Sequence, residues 1–307
     1  MNVIPPLTIT DARLISSTVS EPDAGSPSTE QVYSASATYA LGAIAINTTT
    51  HLKYESLVAG NTGNALTDET KWFLLGATNK GAMFDFLRST ATESPTSLTV
   101  VIAPGERINS LALLGLVGSS VTVSMDSALG SPSTNYYYHT EDLTTREAFD
   151  WYSYFFKPFA VKHNVVLFDL PPYAATYITI TIAGNNVECA ACVLGSYTYI
   201  GQVLNDAVSD VLNFSTVTRD FAGGTNAMVQ RRNVPKTNQT LLLDKTRVNA
   251  VRALRDELNA TPAVWVGIDV DTDGYFEALL ILGFYKQFSI NLSMPEQAVI
   301  TLELEEI

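Results

Sequence analysis

Cysteine is nearly missing from this chain. Only Cys189 and Cys192 occur in 307 residues, as Cys-Ala-Ala-Cys, so no disulfide framework holds the fold. Zinc needs four ligands, and no second pair exists to complete a tetrahedral site. The flanking Thr179-Ile-Thr-Ile-Ala and Val193-Leu-Gly read as strands, in which positions i and i+3 lie on opposite faces. The expectation is therefore two reduced, buried thiols that do not meet, made in a reducing cytoplasm.

Charge is sparse as well. Asp, Glu, Lys and Arg make up 16% of the residues, against roughly 25% in ordinary globular chains. Ser and Thr take their place, and Thr suits a pleated sheet because it is β-branched. The balance is acidic: 18 basic against 31 acidic residues leave a net charge of −13, which argues against nucleic-acid binding of the usual phosphate-seeking kind. No run approaches 18 uninterrupted apolar residues, so no membrane span is expected. The start, Met1-Asn-Val-Ile-Pro-Pro, lacks the basic and apolar regions of a signal peptide.

Catalytic signatures are absent too. The three histidines, His51, His139 and His163, stand beside no recognisable nucleophile motif. There is no GxSxG, no Walker A loop and no HExxH, so the chain does not read as an enzyme and no cofactor is expected. Asp269-Val-Asp-Thr-Asp-Gly resembles the start of a calcium loop, with Asp269, Asp271 and Asp273 as alternating ligands. The twelfth position is Leu280 instead of a bidentate Glu, and a polar hairpin loop accounts for the same residues.

What is present is hydrophobic material patterned for strands. Apolar and aromatic residues reach 46%, and the length allows two or three domains. Residues 1–30 are rich in Ser, Thr, Pro and Asp and read as an extended arm. Residues 31–83 form a small β unit punctuated by Tyr33, Tyr39, Tyr54 and Trp72. Residues 84–204 read as a β-sandwich, with strands expected at 98–103, 110–116, 121–125, 165–169, 177–182 and 188–195. An aromatic cluster between Tyr136 and Phe159 interrupts them and fits a sugar platform or an apolar contact patch. Residues 205–307 carry one helical pattern, Thr246 to Leu258, with Val248, Val251, Leu254 and Leu258 on one stripe. Strand-like runs follow it at 263–268 and 279–292. The fold class is thus mainly β and multi-domain, with one α-helix in the last module.

Between Arg219 and Arg255 stand eight basic residues and two acidic ones. Such a run is either a solvated face or a seam that docks on an acidic neighbouring subunit. On the second reading Arg231, Arg232 and Arg247 are the candidate inter-subunit contacts.

Two resemblances rest on these residues. Tyr33-(x5)-Tyr39-Ala-Leu-Gly-Ala-Ile-Ala, Lys53-Tyr-Glu-Ser and Lys71-Trp-Phe-Leu-Leu-Gly look like the small chitin- or cellulose-binding modules of the chitinase type. That family implies a glycan contact, for which Tyr39, Tyr54, Trp72 and the more distant Trp151 are the candidate platform. Where the family carries exposed tandem aromatics this chain has Leu57-Val-Ala-Gly-Asn. More broadly, Trp72-Phe-Leu-Leu-Gly-Ala-Thr-Asn-Lys-Gly, Asn109-Ser-Leu-Ala-Leu-Leu-Gly-Leu, Asp169-Leu-Pro-Pro-Tyr and Gly283-Phe-Tyr-Lys-Gln-Phe-Ser-Ile resemble structural proteins from the tail tip of tailed bacteriophages. The last module is similar to the tail-tube and distal-tail fold. This resemblance implies a virion component assembled in the host cytoplasm. Its partners would be copies of itself in a trimeric or hexameric ring and other tail proteins. The alternative is a host-surface glycan adhesin.

Overall fold

In a computed structural model, residues 1–23, 30–129, 135–145, 150–157, 160–219, 221, 224–268 and 276–307 are described. The fold is mainly β, with several sheets, and its one long helical stretch runs through Lys245–Arg247 and Val248–Glu257. The chain divides into two compact units: Leu7–Leu194, and Met1–Pro6 together with Gly195–Ile307. The last module therefore begins ten residues before the expected boundary of 205, and the expected modules at 31–83 and 84–204 fall within one unit up to Leu194.

The expected arm over residues 1–30 is divided between both units. Asn2–Ile4 is a strand of the unit that ends the chain, and Leu14–Ser17 is a strand of the sandwich. The reason is apolar anchoring: Val3, Ile4 and Leu14 are buried, and the composition of the surrounding residues masks them. Residues 24–29 lie outside the described residues.

The sandwich forms because its strands alternate. Ser120–Asp126 and Tyr177–Ala183 bury every second residue, as period-two strands with one wet face do. Their register sets Val121 against Ile182, Val123 against Ile180 and Met125 against Ile178. One sheet runs Asn135–Asp142, Ser120–Asp126, Tyr177–Ala183, Leu98–Ile102, Leu14–Ser17, and the other Asn164–Leu167, Ser110–Val117, Val187–Gly195, Thr92–Ser94. Inward side chains of both sheets join one core.

That core bears out the expectation of two free, buried thiols and corrects only the opposite faces expected for them. Cys189 and Cys192 are free and buried, and both belong to the same cluster. The inward positions step from Val187 and Cys189 to Cys192 and Leu194, so the strand changes phase between the cysteines. The neighbouring strand makes the same step, from Leu113 to Leu116. It turns there through Gly115, with φ of +64° and no room for a side chain: a Cβ would stand 2.6 Å from that of Ala190. Simple alternation does not foresee this shared change of phase. Burial pushes the Cys189 thiol up to about 12 and Cys192 well above its usual value.

The small module has a four-stranded sheet in the order Glu30–Val32, Ile44–Asn47, Leu52–Ser56, Trp72–Ala77. The turn between its central strands is made by Asn47, whose side-chain oxygen accepts from the backbone N–H groups of Thr49 and Thr50 at 3.0 and 3.3 Å, an Asx turn.

In the other unit the sheet is eight-stranded. Its order is Thr198–Tyr199, Asn2–Ile4, Ala263–Val266, Leu280–Asn291, Gln297–Glu306, Asn233–Asp244, Gln202–Val203, and Val208–Asn213 also pairs with Asn233–Asp244. The helix packs Val251, Leu254 and Leu258 into the same core as Trp265, Ile281, Phe288 and Ile300, the stripe that the sequence spacing predicts. Each such aliphatic side chain contributes about 1.5–3 kcal/mol on burial. The helical stretch starts where the Asp244 carboxylate accepts from Thr246 N–H at 2.8 Å, and Ala260 ends it in the left-handed region at φ +57°.

Candidate functional site

The first candidate platform is a core. Tyr39 and Trp72 are each 2% exposed. Tyr33 stacks on Tyr39 at 6.1 Å, and Trp72 meets them edge-on at 5.9 and 5.1 Å. Their polar tips are used internally. Trp72 Nε1 and the Tyr33 hydroxyl both donate to the Asn64 carbonyl, at 3.1 and 2.8 Å, and the Tyr39 hydroxyl accepts from Ser34 N–H at 2.7 Å. Tyr54 packs against the same cluster. With no exposed ring face on Tyr39 or Trp72, the expected platform of Tyr39, Tyr54 and Trp72 is replaced by the module's interior, as expected of a unit of some fifty residues that must bury most of what it has. What this module exposes is the strand Trp72–Ala77 beside Leu52–Ser56, with Phe73, Leu74 and Leu75 in solvent.

The basic residues are not one seam. Arg231 and Arg232 precede the strand Asn233–Asp244 and Arg247 follows it, and twelve strand residues span roughly 40 Å. Arg232 pairs with Glu306 and donates to the Ile307 carbonyl at 3.2 Å. The Arg247 guanidinium lies over the Tyr199 ring, 5.3 Å from its centroid. Lys236 pairs with Glu303, which holds its amine above the usual value, and Lys286 pairs with Glu305 at 3.2 Å. Arg232 and Lys236 of this run thus find their partners on the chain's own strand Gln297–Glu306, and Arg252 and Arg255 find theirs in Asp256. The Glu303-Leu-Glu-Glu pattern was the available signal, since opposite charges on neighbouring strands pair across the ladder. Arg231 is exposed, its backbone N–H donating to the Ser215 hydroxyl at 3.0 Å.

Beyond Arg231 the chain extends a two-stranded arm. Val208–Asn213 pairs with the first half of Asn233–Asp244, and Thr216–Arg219 continues against Thr225–Val229. Val211, Phe214, Val217, Phe221, Met228 and Val229 are all exposed on it, Phe221 fully. Among the described residues the outer edge of Val208–Asn213 has no strand beside it. Motif and composition did not mark this arm, although its β-branched and aromatic spacing is visible in Val208 to Val217.

A cleft of about 580 Å³ in the same unit is bordered by Met1, Tyr199, Gln202, Asn205, Ser209 and Gly267 among others. Its described lining holds no carboxylate, imidazole or thiol, so it offers hydrogen bonds without an acid–base pair. The histidines lie apart. His51 Nδ1 sits 2.7 Å from Glu21, with Asp11 3.5 Å from Nε2. His139 meets Glu141 at 3.0 Å, and His163 Nδ1 donates to the Leu116 carbonyl at 3.0 Å. Among the described residues no three His, Cys, Asp or Glu side chains converge as metal ligands. The calcium candidates Asp269, Asp271 and Asp273 lie outside the described residues.

Trp151 stands elsewhere from the small module's rings, on the six-residue helix Trp151–Phe156. This helix buries none of its residues: Trp151, Tyr152, Tyr154, Phe155 and Phe156 are all exposed. It lies along the chain between Thr144–Thr145 and Ala160–Val161, which pair with each other as a short ribbon. The Asp150 carboxylate accepts from Ser153 N–H and Oγ, both at 2.6 Å, and Ser153 Oγ in turn receives the Asp150 N–H at 3.1 Å. The result is a closed capping box. No protein family's sequence profile matches the chain, and no curated protein matches it significantly. No helix among the described residues is long and apolar enough to cross a membrane.

Proposed function

We propose that the C-terminal unit is an assembly module, through which copies of this chain join in a ring. The observation that carries this reading is the arm: a two-stranded ribbon with six exposed apolar side chains and an outer edge open among the described residues. An isolated two-stranded hairpin is marginal in water. An open edge beside apolar side chains is a template for adding a neighbour's strand. The expected basic seam is reassigned in this reading: much of its charge is matched within the subunit, so apolar burial and backbone pairing supply the contact and Arg231 is left at its rim. The resemblance to tail-tip proteins of tailed bacteriophages supplies the setting, a structural ring around the tail lumen in the virion, with a trimer or hexamer as its stoichiometry. The glycan-adhesin alternative loses support in the small module, whose Tyr39 and Trp72 rings are buried.

The test is the mass of the full-length protein in solution, measured by mass photometry and light scattering over a concentration series. The wild type should form a closed trimer or hexamer. Replacing Phe214, Phe221 and Met228 together by Asp should give monomers with an unchanged far-ultraviolet circular dichroism spectrum, because all three are exposed. A wild type that stays monomeric at high concentration, or a triple variant that still assembles, rejects the proposal.

A further inference from the structure

The aromatic helix Trp151–Phe156 belongs to the unit Leu7–Leu194, not to the C-terminal unit to which the ring is assigned. At 100° per residue its five rings occupy an arc of about 200°, twice the roughly 100° stripe of a helix that docks on one groove. Only Ser153 interrupts them. At about 150–250 Å² per ring and the exposures of these five side chains, the patch offers on the order of 600 Å². That is near the upper end for the largest apolar patch of an ordinary monomer. It also falls short of the roughly 800 Å² that each partner contributes to a stable protein interface. A wide arc of limited area fits a surround that needs no complementary shape.

The chemistry points the same way. No charged side chain lies between Asp150 and Lys157. The helix start is satisfied from within by the Asp150–Ser153 capping box, and its turns close through Tyr154 N–H to the Asp150 carbonyl and Lys157 N–H to the Ser153 carbonyl. This bonding lowers the cost of bringing the helix start against an apolar phase, while the carbonyls of its last turn can face the headgroups. Trp and Tyr carry polar tips on apolar rings, the side chains enriched at the membrane–water boundary. The chain's net charge of −13 repels anionic lipid. We propose that Trp151–Phe156 is a lipid-contact tip that seats at the headgroup–acyl boundary of a zwitterionic bilayer.

Trp151 supplies its own reporter. It is 79% exposed, whereas Trp72 and Trp265 are buried, so a change in exposed tryptophan emission reports on this helix. The experiment titrates the full-length protein with phosphatidylcholine vesicles, and separately with vesicles that also contain phosphatidylglycerol. It follows emission wavelength, acrylamide quenching and co-flotation. The expected result is a blue shift, protection from acrylamide and flotation with phosphatidylcholine, weakened by the anionic lipid. The Phe155→Ser/Phe156→Ser double variant, which keeps Trp151, should lose roughly tenfold or more in partitioning. An unchanged Trp151 emission with phosphatidylcholine overturns the proposal, as does a response confined to anionic vesicles or one that the double variant retains. A blue shift that follows protein concentration without lipid assigns the patch to a second copy of the chain and equally overturns it.

Discussion

The small module and the helix Trp151–Phe156 are built from the same kinds of side chain and put them to opposite use. Tyr33, Tyr39 and Trp72 form an edge-and-stack triad whose ring faces are covered and whose polar tips are bonded to backbone. Trp151, Tyr152, Tyr154, Phe155 and Phe156 also touch one another, at ring separations of 5.1–6.3 Å, yet none is buried. Ring-to-ring contact therefore does not distinguish a core from a contact surface. Enclosure by a sheet and capture of the polar tips do. Substitutions in the two clusters should separate accordingly.

The widest separation is expected at Trp72. Trp72→Ala removes the ring on which the triad closes and leaves the Asn64 carbonyl without one of its donors. Large-to-small changes of this kind cost about 3–5 kcal/mol. Urea denaturation followed by circular dichroism should show the small module unfolding early. A loss below about 1 kcal/mol would mean that the triad is not the module's core. A smaller effect is expected for Tyr39→Phe, which keeps the ring and deletes only the hydroxyl that accepts from Ser34 N–H. The loss should be about 1 kcal/mol, the worth of one partly buried hydrogen bond, with tryptophan emission unchanged.

Sequence pattern made part of this contrast readable. The sandwich strand Tyr177–Ala183 and the stripe Val248, Val251, Leu254 and Leu258 were legible because one buried face imposes a period, and Leu98–Ile102 and Ser110–Val117 because they are short, nearly continuous apolar runs. Three features were not. Asn2–Ile4 is too short to show a period, and its pairing with Ala263–Val266 is set by residues far away in the chain. Asn233–Asp244 carries Pro235 and Lys236 near its start, so its polar outer face and a Pro, usually a mark against a central strand, hid a twelve-residue strand with neighbours on both sides. The phase change at Gly115 and Cys189–Cys192 reverses a parity argument that holds only for regular strands. Tyr39 and Trp72 failed as an exposed platform for a related reason: as residue types they look like the exposed Trp151, and only tertiary enclosure separates them.

The cap of the exposed helix should respond to acid without moving global stability. Hydrogen bonds from the Ser153 hydroxyl and backbone N–H hold the Asp150 carboxyl below its usual 3.8. The folded value is thus lower than the unfolded one, so its contribution is present above 3.8 and is lost as pH falls through the folded value. Trp151 fluorescence anisotropy should drop in that acid window. Asp150→Asn should remove the pH dependence while keeping the helix, because Asn also caps. An acid transition of Trp151 that survives in Asp150→Asn would assign it to another group.

The smallest effect sharpens the comparison most. Trp151→Ala deletes the same kind of side chain as Trp72→Ala, but nothing buried is opened and no cavity forms. Its ring partners, Tyr154 and Phe155, are themselves exposed, so water takes the place of the indole at little cost. Exposed substitutions of this kind lie within about 0.5 kcal/mol of wild type. Denaturation curves of Trp151→Ala and wild type should therefore coincide, while the variant loses the component of tryptophan emission that acrylamide quenches. A stability loss approaching that of Trp72→Ala would mean that the helix packs against the protein in solution, which would remove it from the surface available to lipid.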